Sequence, residues 1–186
     1  MKDNASRFLD ELRLAIIEKW GEKIFTFVLY GSYASGTAKE SSDIDIIIQL
    51  KPGYKKKELD GAHELLKSLC RKHGVSADWT LYPPFLKYIH PPIIIMEYDE
   101  MDWEKGSVRN FTLLSTIRVS SVVKSVFLEN IKKSGRVFYG EDVLAKMRLD
   151  VSFFDRLVAF FAYPMFLWNK YSSKAFYKIF RVISRS

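Results

Sequence analysis

The sequence predicts an α+β chain of α/β-like character: a small mixed β-sheet flanked by helices, followed by a C-terminal helical appendage. Three observations carry that expectation. Short β-branched runs alternate with stretches whose apolar residues recur at helical spacing. Glycines and the turn signal Lys51-Pro52-Gly53 separate them. Composition also shifts near Asp150: residues 151–186 hold six Lys or Arg, one acidic residue (Asp155) and 11 of the 28 aromatics, against 23 basic and 21 acidic residues in 1–150. The expected division is therefore a body over 1–150 and a basic, aromatic-rich helical extension over 151–186, packed on the body or attached to it.

Residues 4–20 place Phe8, Leu12, Ala15, Ile16 and Trp20 on one helical face, with Asn4 as N-cap and Gly21 as the residue that ends the helix. Ile24–Tyr30 and Asp43–Leu50 read as two strands. Lys55–His73 reads as a polar helix that buries Leu59, Ala62, Leu65, Leu66 and Leu69 and is closed by Gly74. Val75–Tyr82 reads as a third strand, and Ile93-Ile94-Ile95-Met96 as one more inside a proline-rich connector. The acidic run Glu97, Asp99, Glu100, Asp102, Glu104 reads as a solvated loop, since no turn glycine bends it around an ion. Residues 107–133 read as a helix with Phe111, Leu114, Ile117, Val122, Val126 and Leu128 inside, ended by Gly135 ahead of an edge strand at Arg136–Tyr139.

Composition excludes several classes. A lone cysteine, Cys70, cannot build a disulfide framework or a multi-cysteine zinc site, and His63, His73 and His90 lack ligand spacing. No run approaches the roughly 18 apolar residues of a spanning helix, and the N-terminus has no apolar leader. A cytoplasmic, reducing setting is the expectation. The formal charge of +7 resides mostly in the extension, so a nucleic-acid surface on the body is not expected.

The chemistry concentrates in Tyr30-Gly31-Ser32-Tyr33-Ala34-Ser35-Gly36-Thr37-Ala38-Lys39-Glu40-Ser41-Ser42-Asp43-Ile44-Asp45. On a strand, Asp43 and Asp45 share a face, where their repulsion is costly unless cations lie between them. Oxygen-only ligands favour Mg²⁺ or Mn²⁺. Gly31-Ser32 stands where a strand passes into a short helix, a junction whose free N–H groups suit a triphosphate. Gly31 and Gly36 have P-loop spacing, but Thr37-Ala38 replaces the Lys-Ser/Thr that a P-loop requires. Asp78, on the third predicted strand among apolar neighbours, needs a cation or donors and would complete an acidic triad beside two metal ions.

Gly-Ser, ten residues, Asp-x-Asp and a further Asp about thirty residues on resemble the nucleotidyltransferase fold of the DNA polymerase β superfamily. The short layout most resembles the minimal nucleotidyltransferases (MNT), over roughly residues 5–82. The resemblance implies Mg²⁺-dependent transfer of an NMP, usually AMP from ATP, to a hydroxyl. It implies Gly31, Ser32 and Ser42 as nucleotide or phosphate contacts, and Asp43, Asp45 and Asp78 as catalytic metal ligands for two Mg²⁺ ions, with Mn²⁺ as the alternative. Many members carry an arginine just after Gly-Ser. Here Tyr33-Ala34-Ser35 stands there, leaving Lys39, Arg109, Arg118 or Lys124 to supply a basic contact.

The implied acceptor is a protein, as in MNT antitoxins that modify a HEPN-type toxin. The alternatives are a small-molecule, antibiotic-type adenylyltransferase, or a non-catalytic nucleotide-binding and docking module. In the extension, Lys174, Lys178, Arg181 and Arg185 alternate with Phe176, Phe180 and Ile183 as in a basic amphipathic helix. Packing on the body is the first reading of this tail. Docking on a partner and a peripheral membrane contact through 153–185 are the others.

Overall fold

The computed structural model describes residues 2–39, 42, 44–75, 93–108, 127–157 and 160–161. Helix α1 (Lys2–Trp20) leads through a 3-10 turn at Gly21–Lys23 into β1 (Ile24–Tyr30), the short α2 (Gly31–Ser35) and β2 (Asp45–Leu50). A 3-10 turn at Lys56–Leu59 precedes α3 (Ala62–His73). Then come β3 (Ile93–Met96), the small hairpin β4 (Met101–Asp102) and β5 (Ser107–Val108), α4 (Glu129–Ser134), β6 (Arg136–Gly140) and α5 (Val143–Lys146). The four-stranded sheet runs β3-β2-β1-β6. Strand β1 is antiparallel to β2 and β6, and β2 is parallel to β3, so the sheet is mixed as expected.

Strands β1 and β2 are covered on both faces, and their alternation assigns the layers. Ile24, Phe27, Leu29, Ile46, Ile48 and Leu50 face α1 and α3. There Phe8, Leu12, Ile16 and Trp20, four residues apart, form the buried stripe of α1, and Ala62, Leu66, Leu69 and Cys70 form that of α3. Burial pushes the Cys70 thiol up to about 11, so it is inert packing. On the opposite face, Val28 and Ile47 meet Met96, Met101, Trp103, Leu128, Ile131, Val143 and Met147.

The second layer is tied by one buried polar side chain. Gln49 Nε2 donates to the carbonyls of Tyr98 (2.7 Å) and Met101 (2.8 Å), and its Oε1 accepts the Trp103 indole N–H (2.7 Å). Both N–H donors of the amide are used and its carbonyl oxygen accepts a bond, which makes its burial tolerable.

Several sequence expectations are corrected. Helix α1 begins at Lys2, so Asn4 is not its cap; Asn4 Nδ2 donates instead to the His73 carbonyl at the end of α3 (2.8 Å). Gly21 opens a 3-10 turn rather than a left-handed cap, packed against Ile17 and Tyr139. The helix expected over 55–73 is split, because Gly61 takes φ +86° and starts α3 afresh. Residues 107–108 are strand, not helix, since the turn 103–106 folds them back on β4. In the acidic run, Glu97 and Glu100 pair with Lys55 (2.8 Å) and Lys56 (2.7 Å). The strand expected at Val75–Tyr82 beyond Val75, and the helix residues 109–126 with Phe111, Leu114, Ile117, Val122 and Val126, lie outside the described residues. Among the described residues, no helix is long and apolar enough to cross a membrane.

Two stability tests follow from these contacts. Gln49→Leu strands an indole N–H and two carbonyls and should lower the unfolding free energy by about 3 kcal/mol in urea titration. Glu11 accepts hydrogen bonds from Lys72 and from His73 Nε2 (2.7 Å), first the lysine and then the histidine holding its carboxyl below the usual 4.5. A depressed acid stabilises the fold above its unfolded pKa and loses that contribution as pH falls through the folded value. Glu11→Gln should therefore flatten the acid side of a Tm-against-pH curve below about pH 4.5, and high salt should shrink the difference.

Candidate active site

The site is built where β1 ends and β2 begins. Their register sets Tyr30 directly opposite Asp45. Both lie on the sheet face that carries Val28 and Ile47, because side chains alternate along each strand. Tyr30 also stacks edge-on against Phe127 (5.4 Å), the residue leading into α4. Burial, and next the negative charge of Asp45, push the Tyr30 phenol well above its ordinary range, so it stays protonated.

The chain then turns immediately over Asp45. Gly31 takes φ +72°, and a Cβ there would lie 2.4 Å from Asp45 Oδ2. Only glycine leaves space for the carboxylate and accepts the left-handed backbone. Helix α2 follows and is closed after one turn by Gly36 (φ +74°), whose N–H donates to the Ser32 carbonyl. With five residues, α2 contributes little macrodipole. What the turn offers an anion is local: backbone N–H groups near Gly31 and the Ser32 hydroxyl.

The rest of the loop is self-bonded. Ser42 Oγ accepts the Lys39 N–H (2.8 Å), and the Ser42 N–H donates to the Lys39 carbonyl (2.9 Å), which brings the chain round toward β2. Ser35 Oγ donates to the Ser32 carbonyl (3.2 Å) and lies 2.8 Å from Thr37 Oγ1. The stretch after Gly-Ser thus closes on itself in place of a basic side chain. Lys39 is exposed, and Arg109, Arg118 and Lys124 lie outside the described residues.

Of the sequence-predicted residues, Gly31 and Ser32 form this turn, Asp45 lies against Gly31, and Ser42 is bonded to Lys39 in the loop that leads to β2. Asp43 and Asp78 lie outside the described residues. Strand β2 begins at Asp45 rather than Asp43, so the same-face argument for the pair does not rest on observed strand geometry. Both edges of β2 are occupied, by β1 and by β3. No cluster of three metal-ligating side chains occurs among the described residues. Even so, the hard oxygen donor of Asp45, set where a glycine makes room for it, suits a divalent cation of the Mg²⁺ class. Tyr30 was missed from sequence; its place just before Gly31, on a strand that must pair with β2, was the available signal.

A separate groove of about 640 Å³ opens at the other end of the strands, lined among others by Phe25, Gln49, Tyr98, Trp103, Glu141 and Lys146. Gln49 lies four residues along β2 from Asp45, about 13 Å at strand rise. The groove does not belong to the Asp45 site.

Gly31→Ala tests the close approach. The left-handed backbone alone should cost about 1–2 kcal/mol, and the displaced Asp45 carboxylate should weaken Mg²⁺-dependent ATP binding further than the loss of stability explains, as read by calorimetry on the folded variant.

Residues 9–104, just over half of the chain, match the family described as nucleotidyltransferase domain. A Methanocaldococcus jannaschii protein named as a protein adenylyltransferase is 32% identical over 95 residues, covering 47% of this chain and 63% of that relative. The chain therefore spans less than two thirds of the relative's length. Two solved structures align over 92% of this chain and 98% of theirs. One is a toxin–antitoxin MntA-HpeT mutant (14% identity, TM-score 0.37), the other a toxin–antitoxin with AMP-PNP (15%, 0.32). The matched residues contain the whole Gly31-to-Asp45 turn and the two strands that frame it, and the chain belongs to the nucleotidyltransferase domain family.

Proposed function

We propose that this chain is a Mg²⁺-dependent adenylyltransferase that moves AMP from ATP to a hydroxyl on a protein partner. The observation that carries the reading is the close approach of Gly31 to Asp45: a glycine turn able to take phosphates lies directly against a metal-binding type of carboxylate. Family membership supports nucleotidyl transfer. The protein acceptor is supported by the name of the M. jannaschii relative, and a HEPN-type toxin is the partner that the MNT resemblance implies.

In this reading the acceptor oxygen bonds to the α-phosphorus, the α–β bridging P–O bond breaks, and pyrophosphate leaves. Asp45, with Asp43 and Asp78, would hold Mg²⁺. When bound, the metal supplies charge neutralisation on the triphosphate and a more acidic acceptor hydroxyl. The N–H groups near Gly31 and the Ser32 hydroxyl orient the phosphates. Ser42 shapes the approach to Asp45 through its bonds to Lys39 and offers its hydroxyl hydrogen to the same phosphates. Asp78 receives the acceptor's proton. The division at residue 150, with 151–186 as an extension of the nucleotidyltransferase body, belongs to the same proposal.

Titration of ATP into the chain with Mg²⁺ should show binding that EDTA removes and that Asp45→Asn weakens by about 100-fold or more. In a native lysate, label on the α-phosphate of ATP should appear on an acceptor protein while label on the γ-phosphate does not. Transfer of γ-label would mean a kinase. ATP binding without any transfer, together with partner binding that survives Asp43→Ala/Asp45→Ala, would mean a docking module.

A further inference from the structure

A second feature of the chain lies outside the candidate active site. Residues 153–157 and 160–161 are helical. Their start is fixed by a reciprocal cap: the Asp155 N–H donates to Ser152 Oγ (3.1 Å), and the Ser152 N–H donates to Asp155 Oδ2 (3.0 Å). Arg156 ties the turn toward α4 through Glu129 (3.9 Å).

At 100° per residue, the sequence spacing of Phe153, Phe154, Leu157, Phe160 and Phe161 puts them within about 120° of one another, the pattern of an amphipathic face. All five are exposed: Phe153 81%, Phe154 68%, Leu157 40%, Phe160 71% and Phe161 71%. The Phe160 and Phe161 rings pack edge-on against each other (5.5 Å). The body's own core, by contrast, buries its large aliphatic and aromatic side chains almost completely. An aromatic face of this size on a capped helix asks for a covering surface.

Charge says which surface. After Asp155 the remaining 31 residues hold six Lys or Arg and no acid, while residues 1–150 are nearly neutral. Protein interfaces are depleted in lysine at their centres. Phenylalanines followed in sequence, after the capping Asp155, by cations alone are a composition that suits an anionic bilayer, where rings enter the headgroup–acyl boundary and each Lys or Arg adds attraction to acidic headgroups.

We propose that the Phe153–Phe161 face docks on anionic phospholipid, making this chain a peripheral membrane protein through its basic extension. The test is co-sedimentation of the full chain with vesicles of about 30% phosphatidylserine in phosphatidylcholine, against pure phosphatidylcholine, in about 0.1 and 0.5 M salt. Partitioning should be at least about tenfold stronger on the anionic vesicles and fall by about tenfold in the higher salt. It should fall similarly in F153S/F154S/F160S/F161S. These side chains are exposed, so circular dichroism should match the parent, and Phe154→Ser serves as a milder variant if the quadruple change disturbs folding. The proposal is overturned by absence of binding to anionic vesicles, or by binding indifferent to the phenylalanines. It is also overturned if self-association, or retention on RNA, is abolished by the same substitutions while vesicles bind nothing.

Discussion

The antiparallel pairing of β1 with β2 is the constraint on which the structure depends. Both strands are apolar on both faces, so the pairing is enclosed by α1 and α3 on one side and by the hairpin, α4 and α5 on the other. A slip of one residue would carry Ile46, Ile48 and Leu50 out of the α1–α3 layer and drive the Asp45 carboxylate into it, unsolvated among apolar side chains. The register that avoids this sets Tyr30 opposite Asp45 and obliges the chain to turn over that carboxylate at Gly31. The hydrophobic pattern of the strands thereby positions the polar groups at their end.

The two ends of this ladder carry polar groups of different kinds. At the Leu50 end, Gln49 is buried and hydrogen-bonded to Tyr98, Met101 and Trp103, so it acts as a structural tie. At the other end, Asp45 is half-buried beside a protonated Tyr30, in the space that a side chain at position 31 would occupy. The loop between α2 and β2 bonds to itself through Ser35, Lys39 and Ser42. The ladder thus presents the Asp45 carboxylate to a turn that is shaped locally.

Much of the fold was legible because the signals were short-range. The β-branched runs, the stripe at every fourth residue of α1 and the closing glycines 74 and 135 each act within a few residues, and the corresponding elements are present. The misread boundaries have equally local causes. Asn4 had the right chemistry for a cap, but its amide serves the end of α3, a contact 69 residues away that local propensity cannot see. Gly61 was one of several glycines, and its left-handed backbone became decisive only through the turn that starts α3. The split of 107–133 came from a two-residue strand whose partner is Met101–Asp102, too short to leave a periodicity.

For the candidate site, residue types and spacing were enough to mark the Gly31 turn and Asp45, which the fold sets against each other, since the turn and its flanking strands span only 27 consecutive residues, 24–50. Sequence by itself thus determined the chemistry available: oxygen ligands, a glycine turn without a P-loop lysine, and a basic aromatic extension. Tertiary structure decided what that chemistry faces. It put Tyr30 across from Asp45, closed both edges of β2 with β1 and β3, and left five large apolar side chains at 153–161 uncovered. The physical reason is common to all three. Side-chain type is local information, whereas register, edge occupancy and exposure depend on which distant segments pack alongside, and only the folded chain settles that.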